Sequence, residues 1–222
     1  KKILGNRDVK NIENKYAFYK EIKDDFLTPM TFSITDVDEA IEINKPITLV
    51  GPNANKGAND ERVAEAMFTS DNYETGSIYV GGANITLNGL GFKGVGEQGY
   101  PIQSREELEN FAIKSCYFEN VNTVFCPYAS TNFKGTFTIA DTVNNNNLQF
   151  LAFVTGSAAE LTKFEFTNNK VYGEVATHYA GKGMISFRAT DSYAEVVIEG
   201  NEFDLEDYVL ASNPIYVASG KL

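Results

Sequence analysis

The residues of this chain that could do chemistry are few and widely spaced. Its single histidine, His178, is followed by Tyr179, and its four arginines are Arg7, Arg62, Arg105 and Arg188. Arg188 closes an apolar run, 184–187, and Asp191 stands three residues on. A cation with an acid partner is a conceivable proton-abstracting pair, which makes Arg188 and Asp191 the catalytic candidates. The plainer reading is a surface ion pair worth little, and it is the favoured one.

Glu202-Phe-Asp204-Leu-Glu206-Asp207 is the densest acidic run. Its oxygens suit calcium, the one cofactor such a run would take, with Asp204, Glu206 and Asp207 as ligands. It lacks a glycine-centred calcium loop, so a solvated charged face is the stronger reading and no cofactor is expected. Cys116 and Cys126 lie ten residues apart and are either a disulfide or two thiols, with Cys116 read as a buried thiol. Zinc would need more ligands than one remote histidine supplies. Phosphate-binding P-loop, Gly-x-Ser-x-Gly and Cys-x-x-Cys strings do not occur.

The elements that must position these residues follow from a repeat. Ile85-Thr-Leu-Asn-Gly-Leu-Gly-Phe92, Phe111-Ala-Ile-Lys-Ser-Cys-Tyr-Phe118, Phe164-Glu-Phe-Thr-Asn-Asn-Lys-Val171 and Val196-Val-Ile-Glu-Gly-Asn-Glu-Phe203 align without gaps. Each is apolar at its first, third and eighth positions, and a weaker copy starts at Phe137. The copies begin at 85, 111, 137, 164 and 196, which gives spacings of 26, 26, 27 and 32. An earlier member begins at Ile47, and a short apolar strand precedes several copies.

Period-two alternation puts Ile85, Leu87, Phe111, Ile113, Phe164, Phe166 and Ile198 on one face. Several short strands per repeat with no long helix between them exclude a conventional α/β sheet, whose parallel strands need long crossovers. A coil that returns onto itself removes that need, because each coil pairs in parallel with the next. The expectation is therefore an all-β fold, a right-handed single-stranded parallel β-helix. An antiparallel sandwich is the rival, and it does not explain a 26-residue repeat. Asn169 and Asn201 fall where the chain must bend, either bonding a neighbouring coil through their amides or acting as ordinary turn residues.

Two segments break the period. Residues 54–76 form an insertion carrying Asp60, Arg62 and Tyr73, with one or two helical turns expected over 60–68. A second insertion, 175–183, carries His178 and Tyr179. Inserted loops on a rigid scaffold commonly hold binding residues, so these five are the ligand-binding candidates. Residues 1–31 do not fit the repeat and read as an N-terminal helical or irregular cap or linker, with the β-helix over 32–222. The coil that begins at Pro214 is read as stacking on a partner or on further chain.

Composition narrows the partners. A formal net charge of −11 repels phosphate backbones, so no nucleic acid is expected. No apolar stretch approaches the ~20 residues that cross a bilayer, so no membrane insertion is expected.

The strings Thr35-Asp-Val-Asp-Glu-Ala-Ile41 and Ile47-Thr-Leu-Val-Gly-Pro-Asn53, with the later repeats, resemble the pectin-lyase-like β-helix superfamily over about residues 32 to 218. The resemblance implies a short helix capping the first coil. It also implies a fold shared by lyases, hydrolases, adhesins and phage tailspikes. Lyases of that kind use calcium with an Arg or Lys base, and the hydrolases carry Asn-Thr-Asp, Asp-Asp and His-Gly strings, of which only Asp-Asp occurs here, at Asp24-Asp25 outside the repeat. The reading is a non-catalytic structural or adhesive segment of a larger cell-surface or virion protein, outside the cell, contacting glycans or other subunits. A polysaccharide lyase or glycoside hydrolase is the alternative.

Overall fold

In a computed structural model of the chain, the described residues are 31–34, 40–70, 77–94, 100–127, 132–146, 151–154, 157–173, 184–188, 193–205 and 215–217. The first strands are β1 (Thr31–Ile34), β2 (Ile41–Ile43), β3 (Ile47–Val50), β4 (Met67–Ser70), β5 (Ile78–Asn88) and β6 (Gly91–Gly94). They are followed by β7 (Ile102–Lys114), β8 (Tyr117–Glu119), β9 (Phe125–Pro127), β10 (Asn132–Ala140), β11 (Val143–Asn145) and β12 (Ala152–Val154). The last are β13 (Ser157–Thr167), β14 (Lys170–Tyr172), β15 (Ile185–Phe187), β16 (Glu195–Glu199), β17 (Glu202–Asp204) and β18 (Ile215–Val217).

A strand that recurs every coil can meet its own equivalent, and these do. A seven-stranded sheet runs β1-β4-β6-β8-β11-β14-β17, and an eight-stranded one runs β16-β13-β10-β7-β5-β2, with β3 on β5 and β9 on β7. A three-stranded sheet runs β12-β15-β18. Every strand pair is parallel, so among the described residues the fold is all-β and built from parallel sheets.

The register reproduces the sequence repeat. Ile47, Ile85, Phe111, Phe137, Phe164 and Val196 align from coil to coil. Phe68, Phe92, Phe118, Asn144, Val171 and Phe203 form a second column on the seven-stranded sheet. Rings stack along both: Phe68 on Phe92 at 5.4 Å, Phe92 on Phe118 at 5.1 Å and Phe111 on Phe137 at 5.6 Å between centroids. Such pairs add about 0.5–1.5 kcal/mol each beyond the area they bury. The copy at Phe137 is weak in sequence because buried Asn144 replaces its eighth apolar residue. The Asn144 amide donates to Thr142 Oγ1 at 2.9 Å, which makes that burial tolerable.

Corners are built from left-handed residues. Gly89, Ser115, Asp141, Asn168 and Gly200 all have positive φ, and the N–H groups of the first four donate to a carbonyl of the following coil. One position further on stand Leu90, Cys116, Thr142, Asn169 and Asn201. Asn169 Nδ2 donates to Ile139 O at 3.1 Å, while its Oδ1 accepts from Thr142 N at 2.9 Å and Thr142 Oγ1 at 2.7 Å. Asn201 repeats the pattern, donating to Phe166 O at 2.8 Å and accepting from Asn169 N at 2.9 Å. Both asparagines thus bridge coils, and each reaches the preceding one.

The helical turns expected over 60–68 do not form. The chain there has no regular structure before it enters β4, with Ala66 and Phe68 buried. Asn53 explains the difference: its Oδ1 accepts from Val63 N and its Nδ2 donates to Val63 O, both at 2.8 Å. These bonds occupy the backbone groups a helix would use. Residues 1–30 and 35–39, where the cap and the capping helix were expected, lie outside the described residues, and Ile41 belongs to β2.

Candidate functional site

On the seven-stranded sheet, alternation that turns Phe92, Phe118 and Val171 inward turns their neighbours outward. The register then aligns Lys93, Glu119, Asn145, Tyr172 and Asp204 in one outer row, one residue per coil. A second row aligns Tyr117, Val143, Lys170 and Glu202. The strands are hydrogen-bonded neighbours in one sheet, so residues more than a hundred positions apart in the chain share one surface.

Lys93, Glu119, Tyr117 and Asn145 form a connected network, and Lys170 with Glu202 forms a separate pair. Lys93 Nζ lies 2.6 Å from Glu119 Oε1, and Tyr117 donates its hydroxyl to Glu119 Oε2 at 3.0 Å. Asn145 Nδ2 donates to the Tyr117 hydroxyl at 3.4 Å, and Lys170 Nζ lies 3.5 Å from Glu202 Oε1. The Lys93 ammonium, opposed by partial burial and helped by Tyr117, holds the Glu119 carboxyl below its ordinary value. Glu119 is therefore a fixed acceptor at neutral pH and a poor proton donor. Burial raises the Tyr117 hydroxyl well above its ordinary value, so it stays protonated. Two half-buried tyrosine rings, an amide and two compensated ion pairs offer apolar faces beside hydrogen-bonding groups of both kinds. That chemistry matches a hydroxyl-rich ligand.

The described part of the insertion, 54–70, reaches this surface and the corner beside it. Asn55 and Asn88 exchange two bonds of 3.0 Å, Arg62 Nη2 donates to Ser115 O at 2.8 Å, and Asn59 Nδ2 donates to Glu202 Oε2 at 3.1 Å. The loop thereby touches residues of the second, third and last coils. Arg62 also pairs with Glu65 at 2.6 Å, and its side chain is 14% exposed. It braces the loop and presents little of its guanidinium to solvent. Asp60 caps the loop's own turn, accepting from Gly57 N at 2.7 Å. It also faces Asp141, whose carboxyl is raised by burial, opposed by Lys114 and reinforced by Asp60.

The other sequence candidates are dispersed. Arg188 follows β15, and its N–H donates to Val154 O at 2.7 Å, which places it on the three-stranded sheet. Asp204 ends β17 at the margin of the polar surface and is exposed. Asp191, Tyr73, His178, Tyr179, Glu206 and Asp207 lie outside the described residues. Among the described residues, no group of three His, Cys, Asp or Glu side chains could hold a metal ion. Both cysteines are free; burial pushes the Cys116 thiol up to about 12 and Cys126 to about 11.

Sequence reasoning missed Lys93, Tyr117, Glu119, Asn145 and Tyr172. The signal was present: each stands next to an inward column residue in the third short strand of its repeat. No protein-family model, curated protein or solved structure matches the chain.

Proposed function

We propose that this chain is a right-handed, single-stranded parallel β-helix of the pectin-lyase-like kind. It serves as a non-catalytic structural or adhesive segment of a cell-surface or virion protein and contacts glycans through the outer face of its seven-stranded sheet. The hand rests on the strong general preference of parallel strand-to-strand connections for right-handed crossing. The parallel pairing of equivalent strands, coil after coil, supports the solenoid.

The observation that carries the functional reading is the network of Lys93, Tyr117, Glu119, Asn145 and the neighbouring Tyr172. Its cation is neutralised by its own carboxylate, which favours neutral sugars over uronates. Its carboxylate is held ionised, which removes the proton donor a glycoside hydrolase needs at such a position.

A glycan array probed with and without calcium tests this, with every bound glycan then assayed for product release. Binding without cleavage supports the reading. Cleavage of any bound glycan overturns it in favour of a lyase or hydrolase.

A further inference from the structure

A second row of asparagines stands just before the first core column. Asn84 and Asn110 have positive φ, 57° and 52°. The register sets Ile85 on Phe111, so the two asparagines lie side by side on neighbouring coils. Asn110 Oδ1 accepts from Thr136 N at 3.1 Å, and Asn110 Nδ2 donates to Asn84 Oδ1 at 3.1 Å. The Asn84 amide is therefore held by its oxygen, and among the described residues its Nδ2 donates to no acceptor. Asn84 is exposed, as are Pro46 and Asn110 on the coils to either side, which leaves room at the amide for a bulky polar group.

The sequence around this amide is distinctive. Asn84-Ile85-Thr86 is the one Asn-x-Ser/Thr string in the chain. Transfer of an oligosaccharide to asparagine needs that string, with a hydroxyl residue two places after the amide. Ile85 is 0% exposed in the core, whereas Asn84 and the half-buried Thr86 flank it on the outer side. Five other described asparagines have positive φ, Asn55, Asn110, Asn120, Asn146 and Asn168, and none has a hydroxyl residue at that spacing.

We propose that Asn84 is an acceptor site for an N-linked oligosaccharide, an inference that rests on the cell-surface part of the reading above. The Asn84 Nδ2 attacks the anomeric carbon of an oligosaccharide carried on a lipid diphosphate. The N–C bond forms as the C–O bond to phosphate breaks; the amide gives up one proton, and the lipid diphosphate leaves with the electron pair. The product keeps Oδ1 as an acceptor for Asn110, so the corner ladder survives with the sugar on its solvent side. Asn84 belongs to β5 of the eight-stranded sheet, so the sugar is carried apart from the outer rows of the seven-stranded sheet.

Expression of the full chain behind a secretory leader in animal cells tests this, and the imposed route separates the acceptor question from where the native chain resides. Chain with its leader removed is recovered from cells and medium and weighed by intact mass spectrometry, before and after treatment with a peptide N-glycosidase. The native sequence is expected to carry one N-linked oligosaccharide, whose release leaves an aspartate at position 84. Asn84→Gln and Thr86→Ala are expected to lose it, and Thr86→Ser to retain it. The glycosylated chain is expected to melt no lower than the same chain made in bacteria without sugar, because the Asn110 bond is kept. An unmodified native sequence, a sugar that persists on the Asn84→Gln chain, or a lowered melting temperature on glycosylation overturns the proposal.

Discussion

Asn169→Ala tests whether the corner ladder holds coils together. The Asn169 side chain is 1% exposed and makes four bonds, giving Nδ2 to Ile139 O and Asn201 Oδ1 and taking Thr142 N and Thr142 Oγ1 on Oδ1. One partner has compensation, since Asn201 Oδ1 keeps the Asn169 N–H; Thr142 Oγ1 still accepts from the Asn144 amide, but its O–H loses its acceptor. The Thr142 N–H, on a fully buried residue, and one lone pair of Ile139 O lose this partner. Each buried group left unsatisfied costs about 1–3 kcal/mol, so the substitution is expected to cost about 2–5 kcal/mol. Against a typical total of about 5–15 kcal/mol that is a large fraction. Urea denaturation followed by circular dichroism reads it as a lowered midpoint. Asn59→Ala, which removes an exposed bond to Glu202, is the control and is expected to shift stability by no more than about 0.5 kcal/mol. Equal midpoints for the two variants would refute the reasoning.

Three further outcomes are expected. Arg62→Ala leaves Glu65 without its cation and should cost about 3 kcal/mol or more, while Arg62→Met with Glu65→Leu should recover most of it, since an apolar pair replaces a part-buried ion pair at little cost; a denaturation cycle measures both. Cys116 and Cys126, with thiols raised to about 12 and about 11, should react slowly with a thiol reagent at pH 8 in the native chain and fully after denaturation; rapid native labelling of Cys116 would contradict its burial. Glu119 has a native value below the usual 4.5, so its contribution is present above 4.5 and is lost as pH falls through the native value. Lys93→Met should therefore flatten the fall of stability with acid below about pH 4.5, as seen in denaturation midpoints between pH 6 and pH 3.

The stacked architecture was legible because side-chain burial in such a fold repeats with the coil. Phe111, Phe137 and Phe164 recur at spacings of 26 and 27 because each packs on the next, and Asn169 and Asn201 recur because each closes the bonds of the coil before it. The 60–68 segment reads as helical because its local composition favours a helix, whereas the Asn53 side chain takes both backbone polar groups of Val63. Strand β4 was missed for the same reason, its pairing with β6 being long-range. The polar surface was harder to see. Its residues are individually ordinary and meet only through register, whereas rare residue types and inserted loops stand out in the sequence. Arg62 is conspicuous in its insertion, yet it braces the loop through Ser115 O and Glu65.

The most direct measurement compares the native chain with a variant carrying Asn145→Ala and Tyr172→Ala on the same glycan array, with circular dichroism confirming that both are folded. Both residues stand in the outer row beside Glu119 and outside the core. The account expects the native chain to retain a set of neutral glycans and the variant to bind them at least about tenfold more weakly. Equal binding by the two, or retention of none by the native chain, would contradict the assignment of glycan contact to this face.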